Sequence, residues 1–234
     1  MGIFLKWIQE NIGNFTKIVS KTSRFAQLKD VKTKVGGNSA IITFEYITGD
    51  VAGQNMVTIC IDQICKYILS DSPINPIQWY IESNYYGDKK ATAVSFANVR
   101  GKKVTSEIVV PKEICESILK TTPELIEDYW KTSTLASIQS CSIGAQGHVA
   151  NGLTTLFLAC GQDVACISES SIGITRMLVN NNGDLYVSVT LPKLIVETVG
   201  GGTGLSTQKE CLEMLGCTGN GSARKFAEIC CAIA

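Results

Sequence analysis

Ile174-Thr175-Arg176-Met177-Leu178-Val179, then Asn180-Asn181-Asn182-Gly183-Asp184, then Leu185-Tyr186-Val187-Ser188-Val189-Thr190-Leu191 reads as a β-hairpin. Two runs rich in apolar and β-branched residues flank an Asn/Gly turn, and Asn and Gly accept the left-handed backbone that tight hairpin turns need. Working outward, Lys103–Val110 and Ala91–Asn98 read as two more strands, joined by Val99-Arg100-Gly101-Lys102. Pro111 suits a helix start, and Ile114, Ile118 and Leu119 give that helix a face. Residues 133–168 are small and apolar with few charges, as expected of a helix buried on most sides. Gln208–Leu215 and Ala223–Ala234 read as helices. Strand runs and helix runs alternate without a strict βαβ order, so the class is α+β.

Towards the N-terminus, Ile3, Phe4, Trp7, Ile8, Ile12, Phe15, Ile18 and Val19 recur at helical spacing, which predicts one amphipathic helix over 3–20. Residues 38–47 read as a strand and Thr48-Gly49-Asp50 as a turn. A helical stripe follows from Met56 to Leu69. Asp71–Pro76, with two prolines, reads as a loop, and Ile77–Glu82 as a strand.

Composition narrows the classes. The chain has 234 residues, 45% hydrophobic and 18% charged, which fits a packed protein rather than a disordered one. Lys+Arg and Asp+Glu are 21 each, so the basic excess of a dedicated nucleic-acid binder is missing. No apolar run reaches the length of a membrane span. The run at Ile3-Phe4-Leu5 is short for a signal peptide, and Lys6 stands where a myristoylation motif wants Ser or Thr. These features lead us to expect a cytoplasmic protein with no membrane span. Ten cysteines lie mostly in apolar runs such as Thr58-Ile59-Cys60-Ile61; with no CxxC pair and only His148 as histidine, the expectation is buried free thiols and no metal site.

Several residues can carry chemistry. Lys89 and Lys90, after the polar stretch Ser83-Asn84-Tyr85-Tyr86-Gly87-Asp88, are either a solvated pair or include a lysine that holds an oxyanion. Asp163 ends the apolar run Leu156–Cys160 and Gly161-Gln162, as a helix cap or as a functional carboxylate. His148 and Asn151 are three apart, on one helical face. Val199-Gly200-Gly201-Gly202-Thr203-Gly204 is a plain turn or a phosphate loop, without the GxGxxG pattern, and Gly49–Asn55 is a second glycine loop opening a helix.

The order of these pieces carries more than any one of them. Thr22-Ser23-Arg24-Phe25-Ala26, Gly49-Asp50-Val51-Ala52-Gly53-Gln54-Asn55-Met56, Asn84 with Asp88-Lys89-Lys90, and Arg100-Gly101-Lys102 follow one another in the chain. They continue with His148-Val149-Ala150-Asn151, Ala159-Cys160-Gly161-Gln162-Asp163, Val199-Gly200-Gly201-Gly202-Thr203, Leu212-Glu213-Met214-Leu215-Gly216 and Ala223-Arg224. In this order the chain resembles the catalytic domain of class I 3-hydroxy-3-methylglutaryl-CoA (HMG-CoA) reductase. The resemblance implies a mostly helical large domain (1–21 and 83–234) with an inserted ferredoxin-like small domain (22–82) of the NADP-binding type. It implies a homodimer acting on a small molecule. By the same resemblance, Lys89 holds the oxyanion, Asp163 tunes that lysine, and Asn151 is hydrogen-bonded beside them. Asp50, Gly53 and Asn55 match the NADP(H) loop. Arg24 and Lys90 match groups that meet the substrate carboxylate.

Departures from the family pattern shape the expected function. The family's ENxxG glutamate and its C-terminal histidine match nothing within residues 1–234, and Glu10-Asn11-Ile12-Gly13 has the wrong place and spacing. Glu82 stands where the family has a carboxylate-binding serine, and two carboxylates in contact repel. Glu169 and Ile172 alter a stretch that the family keeps small and polar. The leading expectation from these changes is a repurposed small-molecule biosynthetic enzyme that uses Lys89 and Asp163, with non-redox cyclisation or carbonyl activation as one form of its reaction and the redox character left open. The alternatives are an NADPH-dependent HMG-CoA reductase that makes mevalonate, as a fragment or completed by a partner, and a non-catalytic partner subunit.

Overall fold

The computed structural model describes residues 1–98 and 100–234, so Val99 of the expected 99–102 turn lies outside the described residues. Contacts divide the chain into two units, Met1–Tyr85 and Tyr86–Ala234.

The first unit runs α1 (Gly2–Glu10), α2 (Ile12–Thr22), β1 (Gln27–Gly36), β2 (Ser39–Ile47) and α3 (Gln54–Asp71). The single helix expected over 3–20 is two. Asn11 breaks it: its backbone leaves the helical region, and its side-chain Nδ2 donates to Trp7 O at 2.9 Å, competing with the helical ladder. Both halves still bury their apolar stripe. Ile8, Phe15 and Val19 join Ala26, Val31, Cys60, Ile64 and Ile68 in one core. Trp7 stacks on Tyr67 at 5.7 Å, and Phe15 meets Phe44 edge-on at 5.8 Å. Residues 1–21 thus pack with residues of 22–85 in this unit. β1 and β2 pair antiparallel with a bulge between Leu28 and Asp30. Ile77–Glu82, expected as a strand, makes no ladder; among the described residues the sheet of this unit has two strands, fewer than a ferredoxin-like βαββαβ unit.

The second unit contains α4 (Val94–Ala97), β3 (Lys102–Val110), α5 (Lys112–Ser117), α6 (Pro123–Gln139), α7 (Val149–Ala159), α8 (Ile167–Ser170), β4 (Ile174–Val179), β5 (Leu185–Leu194), α9 (Ser206–Met214) and α10 (Ala223–Ile233). The β4–β5 hairpin forms as expected: Asn180 Oδ1 accepts from the N–H groups of Asn182 and Asp184 at 2.9 and 3.0 Å and closes the turn. β3 pairs with β5 from the other side, giving the order β3-β5-β4. It does not pair with Ala91–Asn98, where the short helix α4 replaces the expected strand. The central strand β5 reads as the most buried: Leu191, Lys193 and Leu194 are inaccessible.

Helices cover this sheet. α10 packs on β3 and β5 through Phe226, Ala227, Cys230 and Cys231, and α6 packs on β4, where Trp130 Nε1 donates to Thr175 O at 2.6 Å. Thr122 caps α6 and Pro123 occupies its first turn. The buried helix expected over 133–168 is instead the end of α6, a loop, α7, a 3-10 turn and α8. Leu135, Ile138 and Leu158 are exposed rather than enclosed. Gly144 and Gly147 interrupt the run, so small residues here mark a chain break and not a buried helix. The class is mixed helix and sheet, as expected.

Candidate active site

Asp163 sits one residue before the 3-10 turn Val164–Cys166 and caps it, its Oδ1 accepting from Ala165 N–H at 3.0 Å. Two contacts fix the chain just before it. Gln162 is buried: its Nε2 donates to Cys160 O and Glu197 O at 2.9 Å, and its Oε1 accepts from Glu197 N–H at 2.8 Å. Gly161 has φ +67°, and a Cβ there would lie 2.4 Å from Gly202 O. Gly202 is thus packed backbone to backbone against the Gly161 turn, which accounts structurally for a glycine at these two positions.

Lys89 completes the pair. Its Nζ lies 2.8 Å from Asp163 Oδ2, with the two side chains 39% and 31% accessible. The hydrogen bond to Asp163 raises the Lys89 ammonium above its ordinary value, against some desolvation. Burial works to raise Asp163, but Lys89 and the Ala165 N–H outweigh it, and the carboxyl is held below the usual range. A protonated lysine with its counter-ion, open on one side, can hold a negatively charged oxygen.

Behind the pair lies a charge cluster that sequence reading did not assemble. Glu169 is fully buried. Its Oε1 accepts from Lys89 N–H at 2.9 Å and from Arg100 Nη1 at 2.5 Å, and its Oε2 faces Lys193 Nζ at 2.9 Å. Arg100 Nη2 also reaches Asp88 Oδ1 at 2.5 Å. Lys193 is 1% accessible and donates to Tyr86 O at 2.8 Å and Gly87 O at 3.2 Å. Burial pushes Glu169 upward, but Arg100, Lys193 and the Lys89 N–H lower it overall. One signal was legible: Lys193 interrupts the apolar run Leu191–Val196, where a lysine needs a partner.

Other expected site residues fall elsewhere. Asn151 is exposed near the start of α7, and its Nδ2 lies 3.5 Å from His148 Nε2; no contact of Asn151 with Lys89 or Asp163 is described. Lys90 Nζ donates to Asp88 O at 3.2 Å. In the first unit, exposed Arg24 places its guanidinium 5.6 Å from the Phe25 ring centroid, and exposed Glu82 accepts from Asn84 N–H. Gly53, at φ +79°, is the N-cap residue of α3, and a Cβ on it would lie 2.6 Å from Thr48 Cγ2. Asp50 and Asn55 flank it. All ten cysteines are unpaired, and all but Cys65, Cys141 and Cys211 are buried; burial pushes Cys160 up to about 11. No helix described is long and apolar enough to cross a membrane.

The hydroxymethylglutaryl-coenzyme A reductase family model matches residues 2–234, and the chain belongs to that family. It is 44% identical over 233 residues to 3-hydroxy-3-methylglutaryl-coenzyme A reductase of Pyrococcus abyssi, covering 96% of this chain and 56% of the relative. It is 39% identical over 226 residues to the protein of the same name from Methanothermobacter thermautotrophicus, with the same shares covered. The chain thus spans about half the length of the curated relatives it matches. Among solved structures, the class II reductase of Streptococcus pneumoniae bound to NADPH superposes with a TM-score of 0.67 at 18% identity, over 97% of this chain and 62% of that one. At that identity the likeness concerns the fold.

Proposed function

We propose that this chain carries the oxyanion-holding part of an NADPH-dependent reductase acting on HMG-CoA toward mevalonate. The observation that carries the reading is the 2.8 Å contact between Lys89 and Asp163 on a turn locked from behind. As a thioester carbonyl carbon gains hydride, its oxygen becomes an anion. Lys89 Nζ can donate a hydrogen bond to that oxygen, and Asp163 keeps the lysine protonated while it does so. The Gly49–Asn55 loop at the start of α3, with Asp50, Gly53 and Asn55, would hold NADP(H), which supplies the hydride when bound. Lys90 is the cation of the second unit proposed to meet the free carboxylate of the substrate.

The relatives at 36–44% identity all bear the reductase name, which supports this reading over the ring-closure one. Glu82, where the family has a serine, is exposed and accepts from the Asn84 main-chain N–H. A homodimer is part of the proposal: α6 leaves Leu125, Tyr129, Leu135 and Ile138 exposed, an apolar surface that a second copy could cover. Analytical ultracentrifugation showing only monomer at micromolar concentration counts against it.

The reductase reading is tested by titrating the purified chain with NADPH, with and without HMG-CoA, and following nicotinamide oxidation. Binding that tightens with HMG-CoA, with oxidation lost in Lys89→Ala, is the expected result. Neither binding nor oxidation in the folded chain would sink the reading.

A further inference from the structure

Lys89 has φ +55°, a left-handed conformation that a lysine keeps only where its surroundings over-determine it. Here the turn is gripped at nearly every residue. Lys90 N–H closes on Gly87 O at 3.0 Å. The carbonyls of Tyr86 and Gly87 accept from Lys193, the Asp88 carboxylate pairs with Arg100, and the Lys89 N–H donates to Glu169. Those grips converge on one side chain, because both cations face the Glu169 carboxylate.

We infer that Glu169, with Arg100 and Lys193 as its counter-charges, is a positioning residue that sets the 86–90 turn so that Lys89 Nζ reaches Asp163. Its catalytic meaning rests on the proposed reductase role of Lys89; the geometry stands without it. Glu169 touches no substrate group and acts through the backbone of the residue it holds. Loss of its charge leaves Arg100 and Lys193 without their shared carboxylate, and nothing fixes the Lys89 N–H. The turn is then free to relax, and Lys89 swings off Asp163. The charged and titratable groups facing the Lys89 ammonium are Asp163, Asp88 and Cys166; those facing Glu169 are Arg100 and Lys193.

A merely structural role predicts lower stability with an unchanged Lys89 once a variant is folded. The discriminating measurement is the acetylation rate of each lysine by acetic anhydride, read by peptide mass spectrometry from neutral to alkaline pH. The whole chain is used, with exposed Lys209 as internal reference. Glu169→Gln/Lys193→Met removes the buried charge pair at similar volume. Arg100→Lys keeps a cation but cannot bridge Asp88 and Glu169, and provides a second variant if the first fails to fold. In either folded variant, Lys89 is expected to react about threefold faster relative to Lys209, the change that half a pKa unit makes in free amine. Its rate profile also moves to lower pH. Asp163→Asn produces the same shift by removing the partner itself.

A folded variant with native near-ultraviolet circular dichroism and an unaltered Lys89 profile overturns the positioning role. NADPH consumption with HMG-CoA, measured on the same samples, separates the two claims. A wild-type chain with a shielded Lys89 and no turnover leaves positioning standing while the reductase reading falls.

Discussion

Lys89 Nζ and Asp163 Oδ2 stand 2.8 Å apart while both side chains keep about a third of their surface open. A pair this close shares a proton firmly, yet one flank remains available to a third oxygen. Lys66–Asp62, one turn apart on a helix, is as close and more open at 2.7 Å; what sets Lys89–Asp163 apart is that its members come from two loops distant in sequence, with the Lys89 N–H held by buried Glu169.

The pair predicts unequal losses from its two members. Lys89→Ala removes the donor itself, and loss of one oxyanion donor costs about 10²–10³ in turnover. Asp163→Asn keeps a hydrogen-bond acceptor but removes the charge that holds the lysine protonated. The expected result is a smaller loss near neutral pH that grows as pH rises. Rates of HMG-CoA-dependent NADPH oxidation across pH check both, and equal, pH-independent losses would contradict the assignment.

The buried cluster predicts a distinctive stability pattern. Glu169→Ala leaves Lys193 and Arg100 without their carboxylate, and breaking a buried pair on one side costs about 3–5 kcal/mol. Replacing the Glu169–Lys193 pair by neutral groups of similar size is far cheaper, because the desolvation cost of both ions disappears with them. Urea unfolding should therefore rank Glu169→Gln/Lys193→Met as more stable than Glu169→Ala. The reverse order would mean that the pair is net stabilising.

How far the sequence reached follows from the range of each interaction. The β4–β5 hairpin was legible because its turn chemistry is local, as was α3 from its stripe. β1 was passed over because Lys29, Asp30, Lys32 and Lys34 hide the strand signal; its charges sit on the solvent face of a two-stranded ladder. Ile77–Glu82 had strand composition but lacks a partner, which composition cannot supply. Lys89 and Asp163 came together only through family resemblance, since nothing local links two loops so distant in sequence. Glu169 was noticed as a departure, but its contacts with Arg100 and Lys193 arise from tertiary packing alone.

Acid and alkali should act on this unit through identifiable groups. Glu169 and Asp163 are held below their ordinary values in the folded chain. Each contributes stability that is present above about pH 4, the unfolded carboxylate range, and is lost as pH falls through the lower folded value. Lys89 is raised, so its contribution is present below about pH 10 and is lost as pH climbs through the folded value. Between those limits these three groups leave stability flat. Urea midpoints measured against pH check this, and Glu169→Gln/Lys193→Met should show a shallower acid limb than wild type. An acid limb of unchanged slope would assign acid sensitivity to other carboxylates.

The turn under Asp163 makes the last test. Gly161 sits at φ +67°, and a Cβ there would lie 2.4 Å from Gly202 O and 3.0 Å from Thr203 N, both backbone atoms that cannot rotate away. Gly161→Ala thus combines backbone strain of about 1–3 kcal/mol with a forced separation of two loops. Gln162 is tied to Glu197 on the Gly202 side of that gap, so the separation should reach Asp163 by way of Gln162. The expected outcome is a lower thermal midpoint together with faster Lys89 acetylation. Gly204→Ala, where a Cβ meets nothing within 4 Å, serves as the control in the same glycine-rich segment and should change neither quantity. Loss of stability with an unchanged Lys89 rate would show that the Gly161–Gly202 contact braces the fold without aligning the pair.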